Sequence, residues 1–441
     1  MASVPAVAAG AAGRRAKLVH PGLAIPFVLL ILCFAAWGAA ANLTDVLVSV
    51  FRTIFDMSNF QSSLVQFAYY GAYFALAIPA ALINRRFGYK AGVLTGLGLA
   101  AVGGVLFFPA SQLLVYEFFL LALFVLAAGL SILETSANPF VIAMGPEDSA
   151  TQRLNLAQAF NPVGANVGVL LGAVIILPNL TPEASKTIMD PAQLRESREA
   201  DLGLVLGPYL GIALVLVLIW ALIAMRKMAI PAERSQDTAE ARSGVVGRLW
   251  ANRHYRFGVV AQFFNVGAQV CTWTFTIQYA QDVVGVPEDR AGWYLQASLI
   301  VFLVARFLMT YLLGKFRPTR LLFLMGALGV TFAVIAMFFL SIVGLIAIVA
   351  ISLSLSLMFP TIYGVALKGL GEDTKFGAAG LVMAILGGAL LTPVQGLLMD
   401  QIGTARAFVV VAVSLALVTA YALFDLRSDR GGGELVPATA H

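Results

Sequence analysis

Long apolar blocks recur from one end of this 441-residue chain to the other, separated by short polar segments. Blocks of about 18 residues or more are long enough to cross the roughly 30 Å hydrocarbon core of a bilayer as helices. Helices are expected because lipid offers no water to an open backbone. The pattern predicts an all-α membrane protein with twelve spans, near residues 22–50, 60–84, 91–110, 113–145, 152–178, 203–225, 254–281, 290–314, 319–341, 343–367, 376–399 and 405–425.

Composition excludes a soluble fold. Hydrophobic residues make up 60% of the chain and charged residues 12%, whereas about a quarter of an ordinary globular domain is charged. The N-terminal region resembles a signal peptide, with basic residues, an apolar run and the small residues 39–41. Because the apolar run continues through Asn42 and Asp45, we expect it to be retained as the first span.

The spans fall into two groups of six. We predict an N-terminal half at 1–225, a polar cytoplasmic linker at 226–253 and a C-terminal half at 254–441. A weak internal echo indicates duplication, since residues 85–90 and 314–318 both combine basic residues with Phe and Gly at the end of equivalent spans. This layout is that of the major facilitator superfamily, in which the substrate lies between the halves near the midplane.

Basic residues stay on the cytoplasmic side of membranes, so their distribution predicts orientation. With both termini in the cytoplasm, the outer side holds only a few of the 28 basic residues, namely Arg52, Lys186, Arg195, Arg198, Arg290 and Arg406. The net charge of +5 therefore reflects topology, and no nucleic-acid partner is expected. We expect a monomer in the plasma membrane, or in the inner membrane if the source is bacterial.

Three charged residues fall where a bilayer should reject them. A charge at the centre of a span costs at least ~2.5 kcal/mol and persists mainly beside a cavity or a partner. Glu134 lies well inside the fourth span, which favours a functional role. Asp45 is either functional or in outer water, if the first helix ends early. Arg306 is either a partner of substrate or carboxylate, or a structural residue.

Neutral polar residues cluster near these charges at helical spacing. They are Trp37 and Asn42 on the first span, Gln158 and Asn161 on the fifth, and Gln262, Asn265, Gln269 and Trp273 on the seventh. Amides and an aromatic plane suit a sugar, because hydroxyls need donors and acceptors while the C–H face of the ring packs on an indole. The alternative is that the amides join helices within lipid.

Two prolines add local distortion beside the polar residues. Pro139 and Pro162 each lack a backbone N–H, which frees the carbonyl groups of Thr135 and Gln158. A glycine repeat on the fifth span predicts a close helix contact, at Gly164, Gly168 and Gly172.

The runs at 134–140 (Glu-Thr-Ser-Ala-Asn-Pro-Phe) and 154–164, with the pair Asn42 and Asp45, resemble the fucose-galactose-proton symporter family. The resemblance implies proton-coupled symport of a monosaccharide such as fucose, galactose or glucose by alternating access. It also implies that Asp45 and Glu134 serve sugar recognition and proton coupling. Gln158 and Asn161 would line the sugar cavity.

Some expectations stay open at this point. Members of the family differ in their sugar and some use sodium, so a sodium-coupled symporter, a uniporter or a sensor remains an alternative. The superfamily usually has an Asp ahead of the basic cluster after the second span, but this chain has Asn84. The three histidines, His20, His254 and His441, lie at helix ends or in the tail, so we expect neither an enzyme, a metal site nor a cofactor, only a co-transported ion.

Overall fold

The computed structural model describes residues 18–54, 59–113, 115–171, 176, 179, 181, 189–228 and 244–428. The chain is helical throughout these ranges apart from short connections. The main helices are α1 Ala24–Ile54, α2 Asn59–Phe87, α3 Tyr89–Leu113, α4 Tyr116–Ala143, α5 Ala150–Gln158, α6 Phe160–Leu171, α7 Pro191–Met225, α8 Val245–Ala251, α9 Arg253–Asp282, α10 Glu288–Leu313, α11 Pro318–Phe338, α12 Ile342–Leu355, α13 Met358–Leu367, α14 Thr374–Met383, α15 Leu386–Ile402 and α16 Val409–Arg427.

These helices build the twelve predicted spans, of which three are broken into the pairs α5 and α6, α12 and α13, and α14 and α15. Nine of the described helical stretches are long and apolar enough to cross a bilayer. The spans that fall short of this criterion are α2, the α5–α6 pair and α9. All three supply polar residues to an internal cavity.

The sixth span starts earlier than the sequence predicts. We expected it at residue 203, but α7 is continuous from Pro191. The cause is a capping box: Asp190 Oδ1 accepts hydrogen bonds from the backbone N–H groups of Ala192 (2.9 Å) and Gln193 (2.8 Å), and Gln193 Oε1 accepts from Asp190 N.

The proline distortions take two forms. Pro139 leaves α4 continuous, and the carbonyl of Thr135 that it frees accepts a hydrogen bond from Asn84 Nδ2 at 3.3 Å. Pro162 coincides with the break between α5 and α6, beyond Gln158. The buried Asn84 therefore satisfies a helix carbonyl, a role that a carboxylate could not fill without a proton.

The glycine repeat packs α6 against α1, as its spacing predicts. A methyl group added to Gly164 would overlap the backbone of Ala35, and one added to Gly168 would meet the backbone of Ala39. A methyl group on Gly38 of α1 would overlap the backbone of Asn161. Gly172 lies outside the described residues. This close approach brings the polar residues of α1 and α6 side by side.

Helices α1–α7 pack largely on one another, as do α9–α16, which gives two bundles. The bundles meet where α4 and α13 end and α5 and α14 begin; we call this end of the molecule the closed end. There α5 packs on α10 and α13, and α14 packs on α2 and α4. One apolar cluster crosses the boundary and includes Phe140 of the first bundle with Tyr363 and Ala378 of the second.

Arg153 organises the start of α5 at the closed end. Its fully buried guanidinium donates to carbonyl groups at the end of α4, just after α4, and in the segment that precedes α1. The acceptors are the carbonyl oxygens of Val141 (2.7 Å), Leu18 (2.9 Å), Gly145 (3.2 Å), Pro146 (3.3 Å) and Ile142, and the Oγ of Ser149 (3.0 Å).

Part of the predicted linker is also held at the closed end. Residues 229–243 lie outside the described residues, but α8 follows them and precedes α9. Arg248 of α8 donates to both carboxylate oxygens of Asp373, with Nε–Oδ2 at 2.8 Å and Nη2–Oδ1 at 2.7 Å. The hydrogen bond with Asp373 raises the pKa of Arg248.

Candidate functional site

A cavity of about 850 Å³ lies between the two bundles. Its volume is in the range of small-molecule sites. Most of the side chains that the sequence singles out reach its wall: Trp37, Asn42, Glu134, Gln158, Asn161, Gln269, Trp273 and Arg306. Residues from both bundles therefore line this one cavity, which we call the chamber. The helical-face argument predicts this arrangement for α1, the α5–α6 pair and α9.

Asn265 is not brought to this wall. It is fully buried, and neither its Nδ2 nor its Oδ1 has a hydrogen-bond partner among the described residues; the same is true of Gln262. Both share a face of α9 with Gly258, where an added methyl group would meet Ala366 of α13 and Tyr421 of α16. The α9 stripe thus lines the cavity at Gln269 and Trp273, whereas its earlier residues Gln262 and Asn265 are buried within the bundle. The side chain of Asp45 lies outside the described part of the molecule.

Tyrosines of α2 form one aromatic wall with Trp37. Trp37 Nε1 donates to Tyr73 OH at 2.8 Å, and Tyr69 OH donates to the same oxygen at 3.4 Å. Tyr70 also lines the cavity. The sequence analysis missed this group, although tyrosines spaced by four residues at 69 and 73 share a helical face and were a usable signal.

Trp273 and Phe302 form the facing wall. The two rings meet edge to face with centroids 5.0 Å apart, and Trp273 Nε1 donates to Ser352 Oγ at 3.1 Å. Since both cavity indoles use their N–H groups on internal partners, what they offer a ligand is ring surface. Ring surface suits the C–H face of a pyranose.

Four amides of the first bundle offer acceptors to the cavity. Nδ2 of Asn42 donates to Gly38 O (3.1 Å), that of Asn161 to Phe34 O (3.4 Å) and that of Asn166 to Pro162 O (2.8 Å), while Gln158 Nε2 donates to Asn138 Oδ1 (2.8 Å). In each of the four, the side-chain oxygen accepts no hydrogen bond from a described residue. Asn166, which the sequence analysis did not select, lies little more than one turn beyond Asn161.

Glu134 is the one carboxylate among the described residues that line the cavity. It is fully buried in α4, and neither of its oxygens has a hydrogen-bond partner in the described structure. Asn138, Tyr73 and Tyr363 are its polar neighbours. A carboxyl group without a fixed counter-ion, on the wall of a cavity in a membrane protein, is suited to bind and release a proton as its access to water changes.

Arg306 is the one cation among the described residues that line the cavity, and no ion pair joins it to Glu134. Its Nε donates to Ser356 O at 2.7 Å and its Nη1 to Gln158 O at 3.1 Å, and the guanidinium carbon lies 4.5 Å from the centroid of Phe302. Of the alternatives that the sequence leaves open, the described contacts are structural ones. Across the described ranges, no group of three or more His, Cys, Asp or Glu residues is placed to hold a metal ion.

Comparison with known proteins places these features in a family. Residues 27–387 match the sequence model of the Major Facilitator Superfamily. The chain is 39% identical over 409 residues to the L-fucose-proton symporter of Escherichia coli, covering 91% of this chain and 93% of the relative. It is 33% identical to a glucose/galactose transporter of Brucella abortus, covering 90% of this chain and 93% of that relative.

Solved structures agree with the sequence relatives. The crystal structure of the Major Facilitator Superfamily transporter FucP in the outward conformation superposes with a TM-score of 0.87 at 38% identity, covering 92% of this chain and 99% of that one. A proton:xylose symporter, XylE, superposes with a TM-score of 0.66 at 13% identity over 90% of this chain and 94% of that one, which is a likeness of fold alone.

Proposed function

The chain belongs to the Major Facilitator Superfamily and, within it, to the fucose-galactose-proton symporter family, and we propose that it carries a monosaccharide together with a proton by alternating access. The observation that supports this most is one chamber between two bundles that combines amide acceptors, two indole surfaces and a carboxyl without a counter-ion. The substrate class is a hexose or deoxyhexose such as fucose, galactose or glucose, the sugars named for the relatives.

The chamber combines polar groups for hydroxyls with aromatic surfaces for a ring, and this combination favours a sugar. The side-chain oxygens of Asn42, Gln158 and Asn161 accept hydrogen bonds from hydroxyl groups, and Trp37 and Trp273 cover the C–H faces of the ring. A cavity of about 850 Å³ is larger than a monosaccharide, so water can complete the remaining hydrogen bonds. Specificity among sugars would then depend on which hydroxyl groups reach the amide wall.

Coupling is assigned to Glu134, with Asp45 as a second carboxylate. A protonated Glu134 lets the loaded carrier rearrange without moving a bare charge through lipid-surrounded protein. The proton leaves when the chamber opens on the other side. In this scheme the co-transported ion is a proton and no resident cofactor is needed.

We assign the closed end to the cytoplasm. Basic residues are concentrated there and in the adjoining linker, as at Arg85, Arg86 and Lys90, which fits the positive-inside rule. The chamber would then open outward, like that of the relative solved in the outward conformation. Both termini would be cytoplasmic and the protein would lie in the plasma membrane, or the inner membrane of a bacterium. The monomeric state stays a prediction.

The function is tested by uptake into proteoliposomes. Radiolabelled L-fucose, D-galactose and D-glucose are offered with an imposed inward proton gradient, with and without sodium. We expect at least one sugar to accumulate above its external concentration, and a protonophore to abolish the accumulation. Uptake that only equilibrates would indicate a uniporter, uptake that follows sodium would replace the coupling ion, and no uptake of any sugar would refute the assignment.

A further inference from the structure

Arg306 is an expensive residue to bury, with only 4% of its surface exposed. It makes no ion pair with a carboxylate in the described ranges. Its two hydrogen bonds go instead to backbone carbonyl groups, from Nε to Ser356 O (2.7 Å) and from Nη1 to Gln158 O (3.1 Å). These two carbonyl groups have properties in common that indicate a role for Arg306 beyond packing.

Both carbonyl groups are left free by a proline four residues later. Pro162 lacks the N–H that would bond to Gln158 O, and Pro360 lacks the one that would bond to Ser356 O. Each also lies at the C-terminal end of a half-helix, since α5 ends at Gln158 and Ser356 caps α12. Helix C-termini carry partial negative charge, so a guanidinium between two of them is stabilised without a carboxylate.

The two half-helices belong to different bundles. Gln158 lies in the first bundle, whereas Ser356 and Arg306 both lie in the second. The bond from Arg306 to Gln158 therefore crosses the boundary, and the bond to Ser356 does not. Arg306 and Gln158 also line the chamber, so this crossing bond lies at the chamber's floor.

Two weaker hydrogen bonds from α5 cross the same boundary between the bundles. Gln152 Nε2 donates to Thr310 O at 3.4 Å, and Asn155 Nδ2 donates to Thr361 Oγ1 at 3.3 Å. The bond from Arg306 is shorter than either of these and is the one that involves a full charge. If the closed end opens, α5 must leave α10 and α13, and the bond from Arg306 to Gln158 must break.

We propose that Arg306 is a latch, which holds the closed end shut by binding the C-terminal ends of two proline-broken helices, one from each bundle. Arg306 is then a positioning residue that sets the ratio of closed to opened molecules. Because a hydrogen bond to a charged group contributes substantially to stability, its loss should shift that ratio about tenfold or more. The proposal requires that the bundles move, but it does not depend on which substrate is carried.

The test is a distance measurement between two spin labels, one on each side of the boundary between the bundles, in full-length protein without substrate. Labels at Asp148→Cys and Lys368→Cys occupy exposed positions of different bundles at the closed end, while the native Cys33 and Cys271 are buried. We expect Arg306→Gln to raise the population with a long distance about tenfold or more. Arg306→Lys, which keeps the charge but loses the two-pronged geometry, should have a smaller effect.

The matched control is Thr310→Val. The hydroxyl of Thr310 donates to Arg306 O within α10 at 2.7 Å, so its removal disturbs the same helix without breaking the crossing bond, and distances should stay as in the unmodified protein. A second route leaves Arg306 intact: Pro162→Ala supplies an N–H that competes for Gln158 O and should also favour the long distance.

Two results would overturn the proposal. One is an unchanged distance distribution in folded Arg306→Gln, whatever its sugar affinity; if the affinity is lost as well, Arg306 is a ligand of the sugar instead. The other applies if Arg306→Gln does not fold: an unchanged distribution in Pro162→Ala would then show that the carbonyl bond does not hold the closed end.

Discussion

Replacing Asn161 by Ala should weaken sugar binding without unfolding the protein. Its Oδ1 accepts no hydrogen bond from a described residue and is available on the chamber wall, whereas its Nδ2 makes only a long bond of 3.4 Å to Phe34 O. Loss of a hydroxyl partner inside a binding site costs about 1–3 kcal/mol. That corresponds to a roughly 5- to 150-fold rise in Kd.

Asn265→Ala is the matched variant, because the sequence pattern predicts that Asn265 also contacts the sugar while the structure places it off the chamber wall. Both its polar side-chain atoms are buried without a partner in the described structure. Their removal should leave Kd within about twofold, because this side chain does not reach the chamber wall.

The assay is isothermal titration calorimetry of each purified variant with L-fucose, D-galactose and D-glucose, beside a thermal melt in the same detergent. An unchanged Kd in folded Asn161→Ala would remove that side chain from the site. An equal loss of affinity in Asn265→Ala would show that the stripe on α9 acts as one unit and that the chamber wall does not delimit the site.

Three further predictions concern the aromatic walls, the closed end and helix packing. The double variant Trp37→Phe and Trp273→Phe should lose the sugar-induced change in tryptophan fluorescence, because Trp220, Trp250 and Trp293 are exposed on the outside of the described protein; a full remaining signal would exclude indole stacking. Arg153→Met should lower the free energy of unfolding by about 3 kcal/mol or more, since it strands several buried carbonyl groups, whereas exposed Arg226→Met should have little effect; equal melting temperatures would contradict this. Gly164→Ala should reduce the yield of folded protein by forcing α6 from α1, while Gly71→Ala, with nothing within 4 Å of the added methyl group, should not; a normal yield for Gly164→Ala would disprove the close contact.

The sequence predicted most of the fold because lipid leaves the backbone few choices. A run such as 319–341 can only cross the bilayer as a helix, and α11 occupies Pro318–Phe338. Boundaries failed where polar capping extends a helix beyond its apolar part, as at Asp190 and Pro191. There the local hydrogen bonds decide the start, and hydropathy does not register them.

Within the site, helical periodicity predicted which helix face a residue lies on, but not how far along that face the cavity wall extends. It placed Asn265 and Gln269 on one face of α9, which is correct, yet only the packing of the neighbouring helices determines that the wall ends between them. The sequence analysis did not select Tyr69 and Tyr73, because tyrosine is common both in protein cores and at membrane interfaces. The partners of Arg306 were unpredictable for another reason: Gln158 and Ser356 are far apart in sequence, and only the fold brings their free carbonyl groups to one guanidinium.

The central claim, that sugar and proton enter together through Glu134, is tested most directly by sugar-dependent alkalinisation. Vesicles containing the protein are suspended in lightly buffered medium without an imposed gradient, and the external pH is followed when a transported sugar is added. We expect the medium to become more alkaline as protons enter with the sugar. Glu134→Gln should abolish this signal while sugar exchange across the membrane, measured with radiolabel, continues. Sugar entry without alkalinisation in the unmodified protein, or alkalinisation that persists in Glu134→Gln, would contradict the account.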